Sequence, residues 1–340
     1  MPYSKNAPTL DDVAKQAGVS TATVSRCLNN PDRVVEKTRK KVMQAVKTLG
    51  YTPNFAARVM AAKRTSTIGA IIPTMENAIF ARGLQAFQEE LHRKGYTLLV
   101  ASSAYRPDIE EEEIRALVSR GADGLLLIGH DRKPEIYDYL EQQGVPTLCA
   151  WSYMPDERLP SVGFDNRASM KAIAQVALDQ GHTKLAMISA IQKGNDRAQQ
   201  RIKGVQDAAR ESGLNSDDVI IIETTYEVDS GARALKQLMS NGEPPTAVLC
   251  GNDVIAVGAV RAAKELGLNV PRDVSITGFD DMELARIVEP ELTTVHVPHL
   301  DMGRKAAQEL VAMVERKSKG ISICLETNVV ARQSLGPQKR

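Results

Sequence analysis

The chain has 340 residues, 43% of them hydrophobic and 25% charged, enough to bury two or three sizeable cores. It contains no run of about 18 apolar residues, which excludes a transmembrane helix, and its start, MPYSKNAPTLDDVAKQ, lacks the apolar segment of a secretion signal. The four cysteines (Cys27, Cys149, Cys250, Cys324) form no CxxC pair, so neither a zinc cage nor a disulfide framework is expected, and a reducing cytoplasm is the expected compartment. The net charge of +1 is unevenly divided: residues 1–64 hold twelve Lys or Arg against four acids, a balance of +8, which leaves −7 on residues 65–340. A basic head on an acidic body is the charge distribution of a protein that docks one end on phosphates.

In chain order, residues 9–30, TLDDVAKQAGVSTATVSRCLNN, read as two short helices joined by a tight turn. Thr9 with Asp12 three residues later makes an N-terminal cap. Leu10, Val13, Ala14 and Ala17 recur at helical spacing, and Gly18 supplies a left-handed stop. Ser20 starts the second helix, with Val24 and Leu28 turned inward and Thr21, Ala22, Ser25, Arg26 and Asn29 outward. A short polar face closed by one arginine suits base edges and phosphates in a major groove; the plainer alternative is a helical hairpin with a solvated face. A third helix over residues 36–49 carries Val42, Ala45, Val46 and Leu49 on one side and ends at Gly50. Pro53 then breaks the chain, and an alanine-rich turn at residues 54–62 is too short to hold a helix unaided, so it should fray until something holds it.

From Ile68 onward apolar strands alternate with amphipathic helices. The strands are IGAIIP, TLLVAS, GLLLIG, PTLCAW, KLAMIS, VIIIET, AVLCG and SITGFD; the helices include residues 80–94, 110–120, 167–180, 198–212, 229–240 and 254–266. This alternation predicts parallel sheets covered on both faces. Its length predicts two doubly wound subdomains, with ligand bound outside the carboxyl ends of the strands.

These motifs resemble the LacI/GalR family of bacterial transcription regulators, carried by the segment at 9–30, the linker YTPNFAAR, GH at 181–182, RIKGV at 201–205, NDVIAVGA at 252–259 and SITGFDD at 275–281. The resemblance implies an all-α helix-turn-helix headpiece (1–53), a hinge helix (54–64) and an effector-binding and dimerisation core (65–340). That core would be α/β, with two doubly wound parallel-sheet subdomains like those of periplasmic binding proteins. The N-subdomain would hold 65–165 and 297–327, the C-subdomain 166–296 and 328–340. By the same resemblance Thr21, Ala22 and Arg26 face bases, and Thr9, Ser20, Thr23, Ser25, Asn29, Tyr51 and Asn54 hold phosphates. The hinge, with Ala57 and Met60, would fold on operator DNA and wedge the minor groove, Met60 standing where the family usually has leucine.

For the core the resemblance places Phe80, Arg201, Tyr226, Asn252 and Asp280 at an effector cleft, with His130 and Asp165 as weaker candidates. Asn252 has the alternative of capping the next helix and Asp280 of bracing a loop. Trp151 stands where sugar-binding members often have an aspartate. Arg197 precedes Arg201 by one helical turn, and two guanidiniums on one face suit a carboxylate or phosphate; a solvated Arg197 is the alternative. The expected function is a repressor of a carbohydrate or sugar-acid catabolic operon. It would bind a palindromic operator as a homodimer and be controlled by a sugar, sugar acid or phosphorylated sugar. The sequence lacks GxSxG, Walker, HExxH and post-strand GxGxxG motifs, so no enzyme, cofactor or metal is expected. His296 and His299 are assigned to a lobe crossover rather than a metal site. The alternative, a periplasmic-type binding protein without a DNA role, leaves the basic head unexplained.

Overall fold

The computed structural model describes residues 7–29, 31–52, 64–76 and 78–339, with Asn29 described by its backbone alone. It divides into two units, residues 1–65 and 66–340.

The first unit is built from α1 (Leu10–Ala17), α2 (Thr21–Asn29), a short 3-10 turn (Pro31–Arg33) and α3 (Glu36–Leu49). Thr9 and Asp12 form a reciprocal capping box, and Gly18 ends α1 at φ 66°. Ser20 Oγ accepts from the Thr23 amide at 3.2 Å and starts α2. Val13, Val24, Cys27, Val42 and Ala45 are buried between the three helices, with Leu28, Val46, Leu49 and Tyr51 packed around them. The predicted hinge at residues 54–62, with Asn54, Ala57 and Met60, lies outside the described residues.

The second unit contains two parallel sheets. One has six strands in the order β11-β5-β4-β3-β1-β2. They are β1 (Thr67–Ile72), β2 (Thr97–Ser102), β3 (Gly124–Ile128), β4 (Thr147–Ala150), β5 (Ser161–Gly163) and β11 (Ile323–Cys324). The other has the order β7-β6-β8-β9, from β6 (Leu185–Ala190), β7 (Ile220–Thr224), β8 (Ala247–Cys250) and β9 (Ser275–Thr277). β1, β3, β4, β6 and β8 are buried along their whole length, as continuous apolar runs covered on both faces must be. β2, at a sheet edge, is half exposed.

Helices α4 (Ala78–Arg93), α5 (Pro107–Ser119) and α6 (Pro134–Gln143) follow β1, β2 and β3; α7 (Asn166–Asp179), α8 (Asp196–Glu211), α9 (Val228–Met239) and α10 (Asp253–Glu265) belong to the second sheet. The chain passes between the lobes three times: from β5 into α7, from β10 (Thr294–His296) into α12 (His299–Val314), and from β11 into β12 (Asn328–Val330). A one-turn helix, α11 (Leu284–Ile287), precedes the second crossing. β10 and β12 pair antiparallel and tie two of these crossings together. α12 packs on α4, and α9 on α10. At the latter contact a Cβ on Gly258 would stand 1.9 Å from the Val228 carbonyl oxygen, so the two backbones touch.

In each sheet the strand order reverses at the strand the chain lays down first, β1 between β2 and β3, and β6 between β7 and β8. Crevices open at the carboxyl ends of such strands. A cavity of about 550 Å³ lies there, lined by Thr74 and Tyr105 from the first lobe and by Ile191, Asn195, Tyr226 and Val254 from the second.

Candidate DNA-reading face and effector cleft

On the first unit, Thr21, Ala22 and Arg26 are exposed on one side of α2, opposite buried Val24 and Cys27. Ser25 is half-buried, and the side chain of Asn29 lies outside the described residues. Several of the expected phosphate ligands also do local work. Thr9 Oγ1 donates to Asp12 Oδ2 at 2.7 Å, and the Ser20 and Thr23 hydroxyls bond each other at 2.9 Å. Tyr51 is half-buried against the helices. The arrangement fixes α2 from behind and leaves Thr21, Ala22 and Arg26 exposed, the geometry that helix-turn-helix proteins use.

In the cleft, buried polar groups from both lobes meet without satisfying one another. Among the described residues, both ring nitrogens of His130 and His299, Trp151 Nε1, the Nδ2 atoms of Asn195 and Asn252, and both carboxylate oxygens of Asp280 have no hydrogen-bond partner. Buried polar atoms in a folded protein are normally paired, so such a cluster marks a place built for a polar guest. Asp280, His299 and Trp151 lie together. Asp280 Oδ1 is 3.9 Å from Arg201 Nη2 and 3.9 Å from His299 Nε2. The Trp151 ring lies 6.5 Å from that of His299 and 5.4 Å from that of Phe80.

Local structure explains these positions. Asp280 has φ 101°, a strained conformation held in place by Asp253. The Asp253 carboxylate accepts from the Met282 amide at 2.6 Å and from Thr294 Oγ1 at 2.7 Å. Arg201 is buried, its guanidinium 3.8 Å from the Phe279 ring centroid, donating to Asn166 Oδ1 at 2.9 Å and to the Gly251 carbonyl at 2.5 Å. Asn252 caps α10 through Oδ1, 2.9 Å from the Ile255 amide, and keeps its Nδ2 unpaired. It therefore fits both readings of the sequence at once.

Burial sets the charges. It pushes Asp280 up to about 6 against the opposing pull of Arg201. It pushes Asp253 up to about 7, helped by the neighbouring Asp280 charge. It pushes His130 down to about 4 and His299 down to about 3, so both imidazoles are neutral near pH 7.

Three expectations change here. Asp165 is exposed, and its carboxylate caps α7 by accepting from the Ala168 amide at 2.9 Å. It does not join the orphaned cluster. Arg197 is buried but does not converge with Arg201. Its Nη1 donates to Asp196 Oδ1 at 2.7 Å and to the Ile128 carbonyl of the other lobe at 3.2 Å. The paired-arginine argument for an anionic guest therefore loses its geometry, because one guanidinium is already neutralised by its chain neighbour. Phe80 is buried against Trp151 and does not line the cavity; nor do His130, Trp151, Arg201, Asn252, Asp280 and His299, so that of the orphaned groups only Asn195 reaches the cavity wall.

Tyr226 does line the cavity, and its ring stands 5.8 Å from that of Tyr105 in the other lobe. Tyr105 and Asn195, which line the cavity, and His299, buried 3.9 Å from Asp280, are residues that sequence reasoning missed. The Tyr105 phenol is pushed up by burial, and Ala104 and Tyr105 both sit at positive φ, a constraint invisible in the sequence.

A capped helix-turn-helix unit with a free recognition face, joined in one chain to a two-lobed core with an orphaned polar cleft, defines a DNA-binding regulator that answers to a small molecule. Comparison with known proteins agrees. Residues 9–54 match the family described as bacterial regulatory proteins, lacI family, and residues 174–335 match a periplasmic binding protein-like domain. The chain is 34% identical over 327 residues to catabolite control protein A of Priestia megaterium, covering 96% of this chain and 98% of that one. It is 33% identical over 317 residues to the HTH-type transcriptional repressor CytR of Escherichia coli (strain K12), covering 93% and 92%. The crystal structure of the lac repressor dimer bound to operator and the anti-inducer ONPF matches with a TM-score of 0.87 at 25% identity, covering 97% of this chain and all of that one. The chain belongs to the lacI family: it is a DNA-binding transcriptional regulator with an effector-binding core, not an enzyme. Among the described residues no helix is long and apolar enough to cross a membrane.

Proposed function

We propose that this protein is a homodimeric repressor of a carbohydrate catabolic operon, released from or held on a palindromic operator by a neutral sugar bound between the lobes of its core. The observation that carries this reading is the orphaned polar cluster around Asp280. It offers the Asp280 carboxylate as acceptor with the Trp151 Nε1–H and the neutral His299 imidazole beside it, and the unpaired Asn195 Nδ2 stands on the cavity wall. The buried arginines are already engaged, Arg201 facing Asp280 at 3.9 Å and Arg197 with Asp196 at 2.7 Å. A ring carrying several hydroxyls, with an apolar face for Tyr226, matches that set; Lys193, the cation that lines the cavity, is exposed to solvent rather than set in the polar cluster. On the first unit, Thr21, Ala22 and Arg26 read bases. Two copies related by a two-fold axis match two half-sites.

Calorimetry with matched neutral and acidic sugars tests the effector class. The expected result is binding of a neutral sugar that Asn252→Ala abolishes. Binding of acidic sugars alone overturns it.

A further inference from the structure

The turn that follows β3 is gripped from the opposite lobe by two adjacent residues. The His130 amide donates to Asp196 Oδ2 at 2.8 Å. Arg197 Nη1 donates to the Ile128 carbonyl at 3.2 Å and to Asp196 Oδ1 at 2.7 Å. The Arg197 amide closes on Asp196 Oδ1 at 2.9 Å. Both side chains are 8% exposed.

The turn itself is shaped to receive them. Gly129 sits at φ 69°, and a Cβ there would stand 2.0 Å from Arg197 Nη1 and 2.2 Å from Asp196 Oδ1. A second buried arginine, Arg132, holds the turn from its own lobe through the Ile128 carbonyl at 3.1 Å, and pairs with Glu110 at 2.8 Å. Asp196 is the first residue of α8, where the helix dipole favours its charge.

Two other polar contacts between the lobes are of a different kind. Arg82 and Glu283 pair at 2.8 Å with 39% and 85% of their side chains exposed, and Gln199 reaches Asp131 at 3.1 Å near the surface. Exposed pairs of this sort contribute little. A buried ion pair behaves otherwise, because separating its members inside the protein leaves a charge without water or partner. Asp196 and Arg197 are adjacent on one lobe, so opening the cleft leaves the pair intact. What opening breaks is the grip on the β3 turn, and water then replaces those bonds. The contact between the lobes can therefore be made and broken without separating the ion pair.

We propose that Asp196 and Arg197, seated on the Gly129 turn, form a latch made by protein groups alone that sets the open–closed balance of the two lobes. The latch stands on this lobe contact. Its effect on operator binding rests additionally on the function proposed above, and the test reads only the lobes.

Spin labels are placed on the exposed positions Glu112 of one lobe and Lys203 of the other, as Glu112→Cys and Lys203→Cys in a Cys324→Ser background; Cys27, Cys149 and Cys250 are buried. Double electron–electron resonance on full-length protein, diluted with unlabelled chain, gives the interlobe distance. Asp196→Ala leaves Arg197 buried without its partner and the His130 amide without an acceptor. Gly129→Ala instead blocks the seat while keeping both charged groups. Each is expected to lengthen the mean distance by about 2 Å or more and to broaden it, whereas Arg82→Ala leaves it at the wild-type value. A wild-type distance in either latch variant, with wild-type circular dichroism, overturns the proposal. If Asp196→Ala does not fold, Gly129→Ala decides alone.

Discussion

Replacing Asp280 by asparagine should make the protein more stable while removing its response to effector. The carboxyl is buried, neither oxygen has a hydrogen-bond partner among the described residues, and burial raises it from 3.8 to about 6. A carboxyl raised in the folded state stabilises in its protonated form. That contribution is present below pH 3.8 and is lost as pH rises through 6, because the unfolded chain ionises first. A rise of this size corresponds to roughly 3 kcal/mol of stability missing above pH 7. The attraction of Arg201, 3.9 Å away, already opposes that rise, so the net effect still favours the neutral group. Asparagine is nearly isosteric, uncharged, and tolerant of the positive φ at this position.

Urea unfolding followed by the fluorescence of Trp151, the chain's one tryptophan and itself at the cleft, reads the core directly. Asp280→Asn should exceed wild type by about 2–3 kcal/mol at pH 8, with the difference shrinking toward zero near pH 4. A variant less stable than wild type at pH 8, or a difference independent of pH, refutes the argument. The gain would mean that wild type carries a destabilising charge for the sake of its ligand, a trade found where function needs an unsatisfied group.

Other outcomes follow from the same structure. Gly258→Ala places a methyl 1.9 Å from the Val228 carbonyl oxygen and should destabilise the core by about 1–3 kcal/mol or more, read by the same unfolding curve. Thr9→Ala removes the α1 capping box and should cost the first unit about 1 kcal/mol, visible as faster hydrogen exchange of α1 amides with the core unchanged. Arg26→Ala should weaken binding to the selected operator by about 1–3 kcal/mol and relax the preference at one base pair of each half-site, measured by titration at fixed salt.

Elements with strong periodicity were legible from sequence. The continuous apolar runs that became β1, β3, β4, β6 and β8 could only be covered strands, and the capping box at Thr9 and the glycine stop at Gly18 fixed α1 before any packing was known. β5, β10, β11 and β12 have two or three residues each, too few for a pattern, and exist because a neighbouring strand or crossing holds them. In the cleft, Arg201, Asn252 and Asp280 sit in motifs that mark them. Tyr105, Asn195, Asp196 and His299 carry no such mark, because their partners lie on the other side of a crossing. Arg197 shows the same limit from the other direction. Helical spacing put it beside Arg201, but a carboxylate one residue away and a carbonyl from the opposite lobe claimed its guanidinium first.

The central claim is that the cleft and the DNA-reading face are coupled. The direct measurement is operator affinity of the intact protein at fixed salt, on a two-fold symmetric site selected from random DNA. It is made with and without a compound that raises the core's melting temperature in wild type but not in Asn252→Ala. The account predicts a change in Kd of about 5- to 150-fold, absent in Asn252→Ala. A compound that occupies the cleft and leaves Kd unchanged, or a protein that selects no symmetric site, contradicts it.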